Sequence, residues 1–187
     1  MRNLLLLIAL AHTLMFSLPL QATENYKEIG WEALVPKGWD PAKDLKALKL
    51  GDLKDSDPRA MEALEKMKAL WDQAPTEPDL EGMKIRLPGF VIPLERKGEK
   101  VTEFLLVPYF GACIHTPPPP ANQIIHAVSS KALTKMKTMD AYWVSGTLSL
   151  KRAETSWGSS GYRLTVDKVT PYVEPGSASG AKNQGGK

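Results

Sequence analysis

Four consecutive prolines, Pro117 to Pro120, limit what this chain can fold into more than any other feature. Each fixes φ near about −65° and lacks a backbone N–H, so the run suits neither a helix interior nor a central strand. It reads as a stiff polyproline II rod, about 12 Å long at roughly 3.1 Å per residue. The rod also predicts an extended Thr116.

The residues around the rod carry most of the chemistry. Cys113 is the only cysteine of the 187 residues, and His115 and His126 are two of the three histidines. An extended Cys113–His115 segment would point both side chains to one side. A thiolate, an imidazole and a further nitrogen from His126 are the donor types of a zinc or copper site. A fourth zinc ligand would be a carboxylate or water. Asn122 and Gln123 could support such ligands from behind. Structural roles stand beside this reading. Cysteine commonly packs as a small buried hydrophobe. His115 could bond backbone left unpaired near the prolines. His126, in strand phase with Ile124 and Val128, suits a core-edge histidine. A nucleophilic Cys–His pair is a third possibility. Glu95, Glu103 and Asp167 read as isolated, solvated carboxylates.

The start of the chain predicts export. Arg2 is a short positive region and Leu4–Ala11 an apolar one, and Ser17, Pro19 and Ala22 form a small-residue exit. Residues 1–22 are therefore expected to be a signal peptide, cut near Ala22 and delivering the chain to the periplasm. The apolar run is shorter than the roughly 20 residues that span a bilayer. The mature chain is expected not to be an integral membrane protein. One cysteine cannot close an intramolecular disulfide, so the domain must stand on packing. Removing Arg2 lowers the formal net charge of +3 to +2. With no basic patch interleaved with aromatics, nucleic acid is excluded as a partner.

Residues 23–80 are expected to form an N-terminal helical arm packed on the domain. Ser56-Asp57-Pro58 gives a cap and a proline at the first helical position. Met61, Leu64, Met67 and Trp71 follow with helical period, and Glu62–Lys66 is an i,i+4 pair. The helix should end near Gln73. Residues 81–174 read as a β-barrel domain. Met83, Ile85 and Leu87 share one face, and Pro88-Gly89 is expected to shift the phase as a bulge does, giving Phe90, Ile92 and Leu94. Strands at 103–107, 123–128, 141–150 and 162–172 follow, with a short helix over 129–137. The result is mainly β: an OB-like five-stranded antiparallel barrel with one short helix between strands 3 and 4. Residues 175–187 are expected to be a disordered tail.

Gly89-Phe90-Val91-Ile92-Pro93-Leu94-Glu95, Glu103-Phe104-Leu105-Leu106-Val107-Pro108 and Gly111-Ala112-Cys113-Ile114-His115, followed by the prolines and Asn122-Gln123, resemble the bacterial domain-of-unknown-function family 3299. Ser145-Gly146 and Gly161-Tyr162 fit as well, and the likeness runs from about Trp31 to Tyr172. The resemblance implies an exported protein with an accessory role beside ABC-transporter membrane components, in settings of zinc limitation. Together these readings give a periplasmic accessory binding protein of an ABC-transport or zinc-handling system, not an enzyme, with Cys113, His115 and His126 as metal ligands. The alternatives are a protein-interaction domain docking through its rigid proline loop and a thiol-dependent enzyme.

Overall fold

The computed structural model describes residues 25–40, 43, 46, 57–113 and 118–173. The expected signal peptide, the expected tail and His115 lie outside the described residues.

The helix α1 (Pro58–Asp72) begins where its sequence dictates. Asp57 caps it by accepting from the Arg59 N–H at 2.9 Å, and Pro58 occupies the first turn. The Arg59 side chain holds the Asp57 carboxyl down at about 2. Glu62 and Lys66 pair at 2.6 Å, and Gln73 closes the C-terminus. The apolar stripe holds at Met67 and the half-buried Trp71 but not at Met61 or Leu64. Ala63 and Met67 are buried, whereas Met61 is 61% exposed. At about 100° per residue Met61 lies well round the helix from those two.

The strands are β1 (Lys27–Glu28), β2 (Lys84–Lys97), β3 (Lys100–Val107), β4 (Ile125–Thr134), β5 (Ala141–Ser149), β6 (Ala153–Thr155), β7 (Gly158–Ser160) and β8 (Tyr162–Pro171). Five of them close on themselves in the order β2-β3-β4-β8-β5 and back to β2. The expected OB-like five-stranded barrel is therefore the fold. Within it β4 and β8 run parallel and the other four pairings are antiparallel, so the all-antiparallel description is corrected at that seam.

Closure depends on the 14-residue β2. Its first half pairs with β5, from Lys84↔Thr147 to Phe90↔Ala141, and its second half with β3. Gly89 stands at the crossing. A Cβ there would come within 2.8 Å of Leu106 Cγ and 3.0 Å of Trp31 Cζ2. The register with β5 is continuous across Pro88-Gly89, so the expected bulge is absent there and falls instead around Pro93–Arg96. Ile85, Leu87 and Val91 face the barrel interior together with Phe104, Leu106 and Leu164. Phe90, Ile92 and Leu94 belong to the opposite, outer face. There they join a second cluster with Leu105, Val107, Ala112, Ile124 and Met139. One strand thus serves two apolar clusters, which imitates a phase shift in the sequence.

The short helix expected over 129–137 is not formed. β4 runs on to Thr134, and Thr102 alone separates Val101↔Leu133 from Glu103↔Val128. The extra β4 residues bulge out, stitched by Ser129 Oγ, which donates to the Lys131 carbonyl at 2.7 Å. The polar Ser129-Ser130-Lys131 run reflects this bulge, with Ser130 and Lys131 exposed, rather than a helix. The turn beyond it buries Met136 in the barrel core, and Arg96 donates to the Met136 carbonyl at 3.0 Å.

The N-terminal arm seals the side of the barrel where β2 parts from β3. β1 pairs in parallel with the start of β2, and a 3-10 turn at Trp31–Leu34 follows. The Trp31 indole donates to the Pro88 carbonyl at 2.7 Å, and Leu34 is fully buried. Tyr162, also fully buried, donates its hydroxyl to the Leu34 carbonyl at 2.7 Å and accepts from the Glu77 N–H at 2.6 Å. One phenol oxygen ties the arm, the segment after α1 and the barrel together.

Candidate functional site

The connection from β3 to β4 crosses the outer face of the barrel. Ala112 is buried in the outer cluster, and the Gly111 N–H points at Met139 Sδ, 3.3 Å away. Tyr109 and Phe110 are left exposed, Phe110 packing edge-on to Phe90 with ring centres 6.0 Å apart. This anchoring sets Cys113 with φ of 63°, a left-handed conformation that non-glycine residues seldom adopt. Cys113 is therefore not extended, and the alternation expected to align it with His115 does not begin from that residue.

Cys113 is half-buried on a cleft of about 360 Å³. Three elements build the cleft: the end of α1 with Lys68 and Asp72, the loop with Cys113 and Pro118, and the segment 152–159 around the β6–β7 turn, with Arg152 and Trp157. Arg152 fixes the junction by donating to the carbonyls of Asp72 and Ala74. Burial pushes the Cys113 thiol up to about 11. At neutral pH it is a protonated thiol, the opposite of an activated nucleophile.

The described part of the proline run, Pro118 to Pro120, does not project. Pro119 and Pro120 are buried, and Pro118 is half-buried against Gly158, whose added Cβ would lie 2.9 Å from Pro118 Cβ. Asn122 and Gln123 both hold backbone. Asn122 Nδ2 donates to the Pro75 carbonyl at 2.9 Å and Gln123 Nε2 to the Trp31 carbonyl at 3.0 Å.

His126 lies on β4, opposite Leu105 of β3, with its neighbours Ile125 and Ala127 in the barrel core. Its ring therefore belongs to the outer face, the side on which Cys113 packs against the cluster containing Leu105 and Ile124. It does not line the Cys113 cleft. The residue is only 9% exposed, and neither ring nitrogen has a hydrogen-bond partner. Nε2 comes within 3.4 Å of Glu103 Oε2, close enough for an ion pair but out of line for a hydrogen bond. Glu103 is thus not the isolated carboxylate its sequence position suggests. The strand register makes it a diagonal neighbour of His126, and only that pairing would have revealed it.

In donor type, a thiol and an orphaned buried imidazole beside a carboxylate fit a borderline transition cation. Among the described residues no group of three histidine, cysteine or carboxylate side chains is gathered as a metal centre. No described helix is long and apolar enough to cross a membrane.

Comparison with known proteins bears on the same span. No curated protein matches the chain. A crystal structure of a DUF3299 family protein from Pseudomonas aeruginosa PAO1 is similar, with 35% identity and a TM-score of 0.63. The match covers 81% of this chain and 99% of that one. The model of DUF3299, a family of proteins of unknown function, matches residues 31–171, which take in the arm, the barrel and the Cys113 loop. The chain belongs to the DUF3299 family.

Proposed function

We propose that this protein is an exported, periplasmic accessory binding protein of an ABC-transport or transition-metal system, with zinc as its cation and Cys113, His115 and His126 as its ligands. It acts by binding, not catalysis. The observation that carries this is the state of Cys113. A loop anchored by Ala112 and Met139 holds the thiol in a left-handed turn on a cleft, and burial keeps it protonated. Such a thiol is poor as a nucleophile but becomes a strong soft ligand once a cation displaces its proton. The orphaned nitrogens of His126 on the same outer face support the metal reading.

A protein-interaction role is the second reading. Buried Pro119 and Pro120 are poor docking elements, whereas the 67% exposed Phe110 packs on Phe90, which lines a groove with Trp31, Pro108 and Tyr172.

Native mass spectrometry of protein released from the periplasm tests both parts of the proposal. The polypeptide should begin near Thr23 and carry about one zinc ion. Intact Met1 in a membrane fraction would contradict export, and a metal-free mass in chelator-free buffer would favour the interaction reading.

A further inference from the structure

We infer that Glu103 is a metal ligand, sharing a divalent cation of the zinc type with His126 on the outer face of β3 and β4. This rests on the metal-binding reading above and adds a residue to it.

The first observation is a distance. His126 Nε2 and Glu103 Oε2 stand 3.4 Å apart without the alignment of a hydrogen bond. Two ligands at about 2.0–2.2 Å from one tetrahedral cation are separated by roughly this amount. The second is the imidazole itself. Its side chain is only 11% exposed, and both of its nitrogens lack hydrogen-bond partners, a state that native proteins seldom leave uncompensated. A cation on Nε2 removes that deficit on the side where Glu103 waits.

The third is the frame. Glu103 pairs with Val128 and Leu105 with His126, so the two donors project from neighbouring strands, Glu103 at the edge of the β4 bulge. Leu105 beside them is fully buried. Donors on rigid strands keep their separation without a loop having to order. Glu103 keeps more than a third of its side chain exposed, which gives a hydrated ion a way in. Imidazole with carboxylate selects zinc, cobalt(II) or nickel(II) over the soft monovalent copper ion. The remaining coordination positions are open to water.

Competition for zinc and cobalt(II) against a chromophoric chelator, on reduced mature protein, tests the assignment. Glu103→Gln keeps the shape of the side chain and should weaken zinc binding at least about tenfold. Glu103→His restores a ligand atom and should recover most of the affinity. Thermal melts of the metal-free variants establish that each is folded; if Glu103→Gln is not, Glu103→His decides, because loss of binding in that folded variant overturns the assignment. Unchanged zinc affinity in Glu103→Gln, with binding lost in Cys113→Ser, would overturn the role of Glu103 and leave the metal reading standing. Equal loss in Glu103→Gln and Glu103→His would also overturn it, making Glu103 an orienting group. Wild-type protein that takes up neither cation would remove both.

Discussion

Gly146→Ala is expected to cost about 3 kcal/mol or more, lowering the melting midpoint by roughly 10 °C. Gly146 lies where β5 meets β8 at a register shift, Ser145↔Lys168 giving way to Gly146↔Val166. A Cβ there would stand 2.1 Å from the Thr165 carbonyl oxygen. The obstacle is backbone on a paired strand, so no side-chain rotation relieves it. Either the seam opens or the strands move apart, and both disturb one of the five pairings of the barrel. Calorimetric melting of the variant checks this. A midpoint within a degree or two of wild type would mean that β5 and β8 are spaced more widely than described.

Tyr162→Phe should cost about 2–3 kcal/mol, because it removes one oxygen and strands two backbone groups. The Leu34 carbonyl loses its donor and the Glu77 N–H its acceptor. Phenylalanine fills the same volume, so the hydrogen bonds account for the loss and the barrel interior stays packed. The damage should therefore concentrate in the arm. Amide exchange and limited proteolysis of the variant should show opening around Trp31–Leu34 and Glu77 before the strands yield. Uniform loss across the barrel would contradict the tie that this hydroxyl makes.

Alkaline pH acts in the same direction as these changes. Burial raises both Cys113 and Tyr162 above their ordinary values, so each contributes stability below its unfolded pKa. For Cys113 that contribution fades as pH rises from about 9 towards 11, where the unfolded chain ionises first.

How much of this the sequence disclosed follows from which interactions are local. The start of α1 is written in Asp57-Pro58, because a cap and a fixed φ act within one turn. The barrel class is written in the order of the strands. Features that depend on register stay hidden. Phe90 and Ile92 looked like a shifted phase because the sequence does not reveal a second apolar cluster outside the barrel. Ser129-Ser130-Lys131 looked helical because its bulge exists only opposite Thr102. Glu103 and His126 are 23 positions apart and meet solely through the β3–β4 pairing. The four prolines announced rigidity but not direction, since burial of Pro119 and Pro120 depends on what surrounds them. The candidate site was therefore half legible: its soft donors were visible as residue types, whereas the approach of Glu103 to His126 was not.

Calorimetric titration of zinc into the reduced protein lacking residues 1–22 tests the central claim most directly. Wild type should bind about one equivalent, and affinity should rise from pH 6 to pH 8, because the cation must displace the proton that burial holds on Cys113. Cys113→Ser should abolish uptake while the melting midpoint stays within a few degrees, since the hydroxyl fills nearly the same space and meets the same backbone. No heat of binding at micromolar zinc, with the thiol confirmed reduced, would contradict the account.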